Sequence, residues 1–176
     1  HLYRMGHDVI CVVGETKYEP SFLLPDVRKT SDPDRILEFC IDLASSSNPP
    51  GLWIHSAAIL DYQSQKERGK RKSDTGEWNL TLYPSVKHLG ELSKYTTGSM
   101  RIGFKLEDDS DEEHLIPRAY DLISKYGLDA VIANLISEAS GSLPLRCRIV
   151  FSDNEVQEIT TLQELCETLE SLISDN

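Results

Sequence analysis

A chain of 176 residues, 27% charged and 39% hydrophobic, is long enough for about one domain with a buried core and too mixed for a disordered or low-complexity segment. Its formal net charge of −11 argues against a nucleic-acid backbone as partner, because that binding leans on a broad positive surface. No apolar run approaches the roughly 18 residues of a membrane span and no signal-peptide pattern opens the chain, so no membrane partner is expected and the expected location is cytoplasmic.

His1-Leu-Tyr-Arg-Met5 followed by Gly6 reads as the last turn of a helix with a left-handed terminator, so an N-terminal βα unit is expected upstream of His1. Asp8-Val-Ile-Cys-Val-Val13 is a β-branched apolar run of strand length, expected to be buried on both faces. Gly14 to Lys29 reads as a polar, proline-punctuated loop. Ser31-Asp-Pro-Asp34 opens a helix capped by Ser31 or Asp32, with Ile36, Leu37, Cys40, Leu43 and Ala44 on one face and a stop at Asn48-Pro-Pro-Gly51. A strand from Leu52 to His55 follows, and Trp78-Asn-Leu-Thr-Leu-Tyr83 alternates as a half-exposed strand should. Val86 to Tyr95 reads as a short helix bearing Leu89 and Leu92, and Arg101-Ile-Gly-Phe104 as a short strand.

The acids from Glu107 to Glu113 lead into a helix with Leu115, Ala119, Leu122, Ile123 and Tyr126 on one face. Pro117 would sit badly in its interior, so regular helix is expected from about His114. Acids ahead of a helix start suit the macrodipole and need no metal. Gly127 stops this helix, and Leu128-Asp-Ala-Val-Ile-Ala-Asn134 is the next buried strand. Arg146 to Phe151 and Val156 to Ile159 read as a hairpin turning at Ser152-Asp-Asn154. Thr161-Leu-Gln-Glu164 has capping-box spacing and starts a final helix to about Ile173. Buried strands alternating with amphipathic helices predict an α/β fold over residues 1–176: a mostly parallel sheet with helices on both faces, then a C-terminal β-hairpin and helix. Cys11, Cys40, Cys147 and Cys166 are widely spaced with no C-x-x-C pair, and read as reduced packing residues rather than zinc or redox ligands.

Sheets of this kind bind ligands at the carboxyl ends of their strands. After Trp53-Ile-His55 come Ser56, Ala57 and Ala58, small enough for a ligand to approach the backbone, and Asp61, an acceptor of hydrogen bonds. Lys66-Glu-Arg-Gly-Lys-Arg-Lys72 then sets five bases in seven residues, which suits phosphate; a solvated loop after a buried strand accounts for the same residues. Gly103 permits close approach, Phe104 can stack on a base, Lys105 can neutralise phosphate, and Asn134 can read polar edges. Taken one at a time they are equally a bend, a core residue, a solvated charge and a capping residue. Their place along one predicted sheet edge favours a binding site.

Ser-Ala-Ala-Ile-Leu-Asp-Tyr (56 to 62), Gly-Lys-Arg-Lys-Ser (69 to 73), Leu-Thr-Leu-Tyr-Pro-Ser-Val-Lys-His-Leu (80 to 89), Gly-Phe-Lys-Leu-Glu (103 to 107) and Leu-Asp-Ala-Val-Ile-Ala-Asn (128 to 134) follow one another in a telling order. In order and spacing these motifs resemble the phosphopantothenoylcysteine synthetase family, the ligase half of the pantothenate-metabolism flavoproteins, over roughly residues 2 to 173. The resemblance implies a Rossmann-like, homodimeric ligase of coenzyme A biosynthesis that joins 4'-phosphopantothenate to cysteine, with CTP or ATP as co-substrate and Mg2+. It implies that Lys70 supports turnover, with Lys72 as the alternative base, that Asp61 meets the nucleotide, and that Tyr83, Pro84, Ser85 and Val86 run along its base and sugar. Phe104 would lie at the base. Ser56, Ala57, Ala58, Gly103, Lys105, Lys125 and Asn134 complete the expected nucleotide-binding set, and no protein ligand to a metal is expected.

The chain also departs from that family. The Gly/Ser-rich phosphate loop and the Asn-containing, Ser-Gly-rich segment that open its members would lie before His1. Leu135 stands where the family carries Asp after Ala-Asn, and Leu122 and Tyr126 stand where bacterial members carry bases, leaving Lys125 nearby. A catalytically weakened member acting as a regulatory or scaffold subunit is therefore a second reading. A nicotinamide oxidoreductase is a third and weaker one, because no G-x-G-x-x-G occurs.

Overall fold

The computed structural model describes residues 1–16, 23–64, 69, 76–77, 79–139 and 145–174. The chain opens with a 3-10 turn, Leu2–Met5, closed by Gly6 at a left-handed φ of 96°, where a Cβ would be strained. The terminator is the one expected, although the turn before it is tighter than an α-helix. Strands β1 (Ile10–Val13) and β2 (Asp26–Lys29) then pair in parallel as a separate small sheet. Two expectations are corrected here. β2 lies inside the stretch read as loop, since its charged residues around Val27 look like a linker while its backbone completes the ladder of β1. Nor is β1 buried on both faces: among the described residues β2 is its one partner strand, and Ile10 stays 38% exposed.

Helix α1 (Pro33–Ala44) is capped by Asp32, whose Oδ1 accepts from the Asp34 N–H at 3.1 Å, and it buries Ile36, Leu37, Cys40 and Leu43. It ends at Ser45, a few residues before the expected proline stop. Next come β3 (Leu52–His55), β4 (Tyr62–Ser64) and β5 (Leu82–Pro84). β4 and β5 form an antiparallel ribbon, so the strand expected over Trp78 to Tyr83 is shorter and later, and its partner was unread because Tyr-Gln-Ser is brief and polar. Trp78 itself lies outside the described residues. Helix α2 (His88–Leu92) is followed by β6 (Met100–Glu107), twice the expected length because Lys105 and Glu107 neutralise each other at 2.7 Å and continue the strand.

A 3-10 turn at Asp109–Asp111 leads into α3 (Glu112–Tyr126), which starts ahead of His114 and contains Pro117. The proline forfeits one backbone bond near the helix start, where Arg118 braces the turn by pairing with Glu107 at 2.5 Å and Asp111 at 3.1 Å. The acidic run is thus partly ion-paired rather than merely placed for the dipole. β7 (Ala130–Leu135), a short α4 (Ile136–Ala139) that the sequence did not announce, β8 (Cys147–Phe151), β9 (Val156–Ile159) and α5 (Leu162–Ser174) complete the chain. The capping box at α5 is reciprocal: the Glu164 N–H donates to Thr161 Oγ1 at 3.1 Å, and the Thr161 N–H donates to Glu164 Oε2 at 3.2 Å.

The main sheet has the order β3-β6-β7-β8-β9, with β3, β6 and β7 parallel and β8 and β9 an antiparallel hairpin. Strand alternation sorts the core into two layers. Val131, Ala133, Leu135 and Val150 meet Leu115, Ala119 and Ile123 of α3; Ile102, Ala130, Ile132, Cys147, Ile149 and Ile159 meet Leu165, Leu169 and Leu172 of α5. Trp53 and Leu92 join the apolar face of α1. Helices therefore cover both faces of a mostly parallel sheet. All four cysteines are free thiols, and burial pushes Cys147 up to about 11, so it stays protonated as a packing group.

Candidate nucleotide site

β3 ends at His55, level with Gly103, while β6 runs on beside β7 from Phe104 to Glu107. The carboxyl edge of the sheet is therefore stepped, and Ser56, Ala57 and Ala58 lie on that step, all exposed. Small side chains leave the backbone there open to a ligand. Ile59 turns inward against the α1 cluster, and the chain emerges again at Asp61.

The ribbon closes this side of the step. Tyr62 is paired with Pro84 and Gln63 with Tyr83, and the Ser85 N–H donates to the Asp61 carbonyl at 2.8 Å. Asp61, Tyr83, Pro84, Ser85 and Val86, far apart in sequence, are thereby brought together. The Asp61 carboxylate accepts a hydrogen bond from the Lys87 ammonium, which holds its pKa below the usual carboxylate value; Lys105 adds a smaller pull. The same bond raises Lys87 above the ordinary lysine value. Lys87 is a neighbour of the candidate site that sequence reasoning missed, because its partner is across a ribbon that was not read.

The remaining candidates divide between the two faces of the sheet. Phe104 and Asn134 share the face of Ile132, Phe104 being 36% exposed and so not a core residue. Gly103 and Lys105 share the opposite face with Val131 and Ala133. Gly103 is buried, and a Cβ there would stand 2.7 Å from Leu128 Cδ1 and 3.6 Å from Leu122 Cδ2. The close fit of Leu128 and Leu122 thus gives the glycine a packing reason beside the expected approach of a ligand. Lys125 sits in the last turn of α3 with its ammonium 5.3 Å from the centre of the Tyr126 ring. Lys70 and Lys72 lie outside the described residues.

Two histidines beneath the step were also missed. The His55 ring stacks on Trp53 at 6.0 Å between centroids and 7° between planes, with Nε2 buried and without a hydrogen-bond partner among the described residues. Burial, then Arg101 and His88, lower its pKa to about 4. His88, at the start of α2, is lowered by burial and partly restored by Asp34. The signal was present in principle, since a histidine ending a buried strand is hard to keep charged. Arg101 stands in register with Trp53 and is 5% exposed; its guanidinium donates to the carbonyls of Tyr126 at 2.7 Å, Gly127 at 3.2 Å and Leu89 at 2.7 Å. It holds α2 and the end of α3 on β6. Among the described residues no group of three or more His, Cys, Asp or Glu could hold a metal ion, and no helix is long and apolar enough to cross a membrane.

Residues 1–173 match the family model described as the DNA/pantothenate metabolism flavoprotein C-terminal domain. The coenzyme A biosynthesis bifunctional protein CoaBC of Methanocaldococcus jannaschii is 34% identical over 131 residues, 74% of this chain and 30% of the relative. Phosphopantothenate–cysteine ligase 1 of Oryza sativa subsp. japonica is 30% identical over 107 residues, 58% of this chain and 33% of the relative. The chain spans about a third of the length of these curated relatives. The crystal structure of the DNA/pantothenate metabolism flavoprotein from Streptococcus pneumoniae shares the fold, with a TM-score of 0.83 at 22% identity over 99% of this chain and 83% of that one.

Proposed function

The chain belongs to the DNA/pantothenate metabolism flavoprotein C-terminal domain family, the phosphopantothenoylcysteine synthetases, and on that premise we propose that it is the ligase domain joining 4'-phosphopantothenate to cysteine in coenzyme A biosynthesis. The observation that carries this reading is the stepped edge: an exposed Ser56-Ala57-Ala58 backbone beside Asp61, with the ribbon residues Tyr83 to Val86 folded against it. In the first step a phosphopantothenate carboxylate oxygen attacks the α-phosphorus of CTP or ATP; a new P–O bond forms, the bond to the β-phosphate breaks, and pyrophosphate leaves. In the second, the cysteine amine attacks the acyl carbon, the C–O bond to the nucleotide breaks, and the nucleoside monophosphate and a proton leave.

Neither step needs a covalent enzyme intermediate, so positioning and neutralisation of phosphate charge carry the catalysis. Lys70, or Lys72, would neutralise charge developing on pyrophosphate, while Asp61 accepts from nucleotide hydroxyl or amino donors. Ser56, Ala57, Ala58, Gly103, Phe104, Lys105, Lys125 and Asn134 are the remaining proposed contacts. Magnesium fits as an ion carried on the triphosphate, which needs few or no protein ligands. A cytoplasmic homodimer is part of the same reading, with the ribbon at or near the interface.

The test is product analysis of the natural full-length chain given phosphopantothenate, cysteine, Mg2+ and either CTP or ATP. Phosphopantothenoylcysteine is expected by mass with at least one nucleotide, and none with either would sink the ligase. A silent scaffold member is the second reading. It is favoured by Leu122 packed towards Gly103 and Tyr126 against Gly90, where the resemblance implies bases in bacterial members, and by the buried Leu135, where it implies Asp.

A further inference from the structure

Resting on the nucleotide reading above, we propose that Lys87 is a phosphate-binding residue, held on Asp61 in the empty protein and passed to the nucleotide's phosphates when the ligand takes the carboxylate. Lys87 is kept at the base of the ribbon by the backbone, through the Tyr62–Pro84 pairing and the Ser85–Asp61 hydrogen bond, whatever its side chain does. The ion pair itself is open to water, the side chains being 52% and 72% exposed, so it breaks at little cost. Lys105 is a contrasting neighbour. It is paired with Glu107, which is 10% exposed and also holds Arg118, and so remains in place as a fixed positive charge near Asp61.

A nucleotide matches both halves of the pair at once. Its hydroxyl and amino groups are donors for the acceptor-only carboxylate of Asp61, and its phosphates are acceptors for the donor-only ammonium of Lys87. Opening the pair on such a ligand strands neither charge. A ligand lacking phosphates would satisfy Asp61 and leave Lys87 to water. The phosphate-dependent part of the affinity is therefore where Lys87 should be visible.

Calorimetric binding of the nucleoside triphosphate and the matching monophosphate to the full-length chain tests this. Lys87→Gln is expected to weaken the triphosphate by about ten-fold or more, the loss of one charge-assisted hydrogen bond, and the monophosphate less. Its affinity should also fall less steeply with salt, and Lys87→Arg should recover most of the loss. The double variant Asp61→Asn with Lys87→Gln should stay weak for the triphosphate. Triphosphate affinity of Lys87→Gln within about two-fold of wild type would overturn the proposal and leave the nucleotide reading standing. Wild-type affinity in the double variant would also overturn it, since Lys87 would then act only by cancelling Asp61. Failure of the wild type to bind CTP and ATP would bring down the nucleotide reading and this proposal together.

Discussion

His55 shows how a single half-buried side chain couples this site to pH. The folded chain holds His55 neutral down to about 4, whereas an unfolded chain takes up the proton near 6.5. Between those values the unfolded state binds more protons, so stability is full above the window and falls as pH drops through it. His88 adds in the same direction. Replacing His55 with Leu should remove about 2 kcal/mol from the difference in unfolding free energy between pH 7 and pH 5. Urea titration of both proteins at the two pH values measures this; an unchanged difference would mean His55 is protonated in the fold. Residue-level chemistry was legible in sequence where it depends on neighbours along the chain, as for the Thr161–Glu164 box. It was not legible for Lys87, whose partner is 26 positions away, or for the packing of Gly103 against the methyl of Leu128, in the connection between α3 and β7.

At the level of elements, the long periodic helices and the buried strand β7 follow from apolar spacing, because each presents a full face to the core, whereas β3 lies at the sheet edge with Ile54 39% exposed. β2 and β4 escaped, and β5 was placed too early, because a short ribbon strand is stabilised by its partner's backbone, and its side chains carry little pattern. Arg101 supplies what the pattern does not, a fixed seat for α2 and for the end of α3. Two of its three acceptors, the carbonyls of Tyr126 and Gly127, end α3 and favour a cation, and the third, that of Leu89, lies in α2. Arg101→Leu is expected to cost about 2–4 kcal/mol of stability, since three carbonyls lose a buried donor. Hydrogen exchange should speed up in α2 and the last turn of α3 before it does in β7. Uniform exchange with unchanged stability would show that α2 is seated by Leu89 and Leu92 alone.

For the whole molecule, the ribbon and the step leave large apolar side chains in water: Leu60 is 77% exposed, Tyr62 57%, Leu82 53% and Leu106 52%. An exposed apolar ribbon invites cover, and a second copy of the chain related by a two-fold axis is the proposed cover. Sedimentation of the full-length chain at tens of micromolar should give a dimer, and Leu82→Glu should shift it towards monomer; a monomeric wild type would count against the interface. The central claim is that this edge activates phosphopantothenate with a nucleoside triphosphate. Pyrophosphate release by the full-length chain, compared among wild type, Lys70→Ala and Lys66→Ala, tests it most directly. Release that depends on phosphopantothenate, falls on the order of 10²-fold in Lys70→Ala and barely changes in Lys66→Ala is the expected result. No phosphopantothenate-dependent release from the wild type with either CTP or ATP would contradict it.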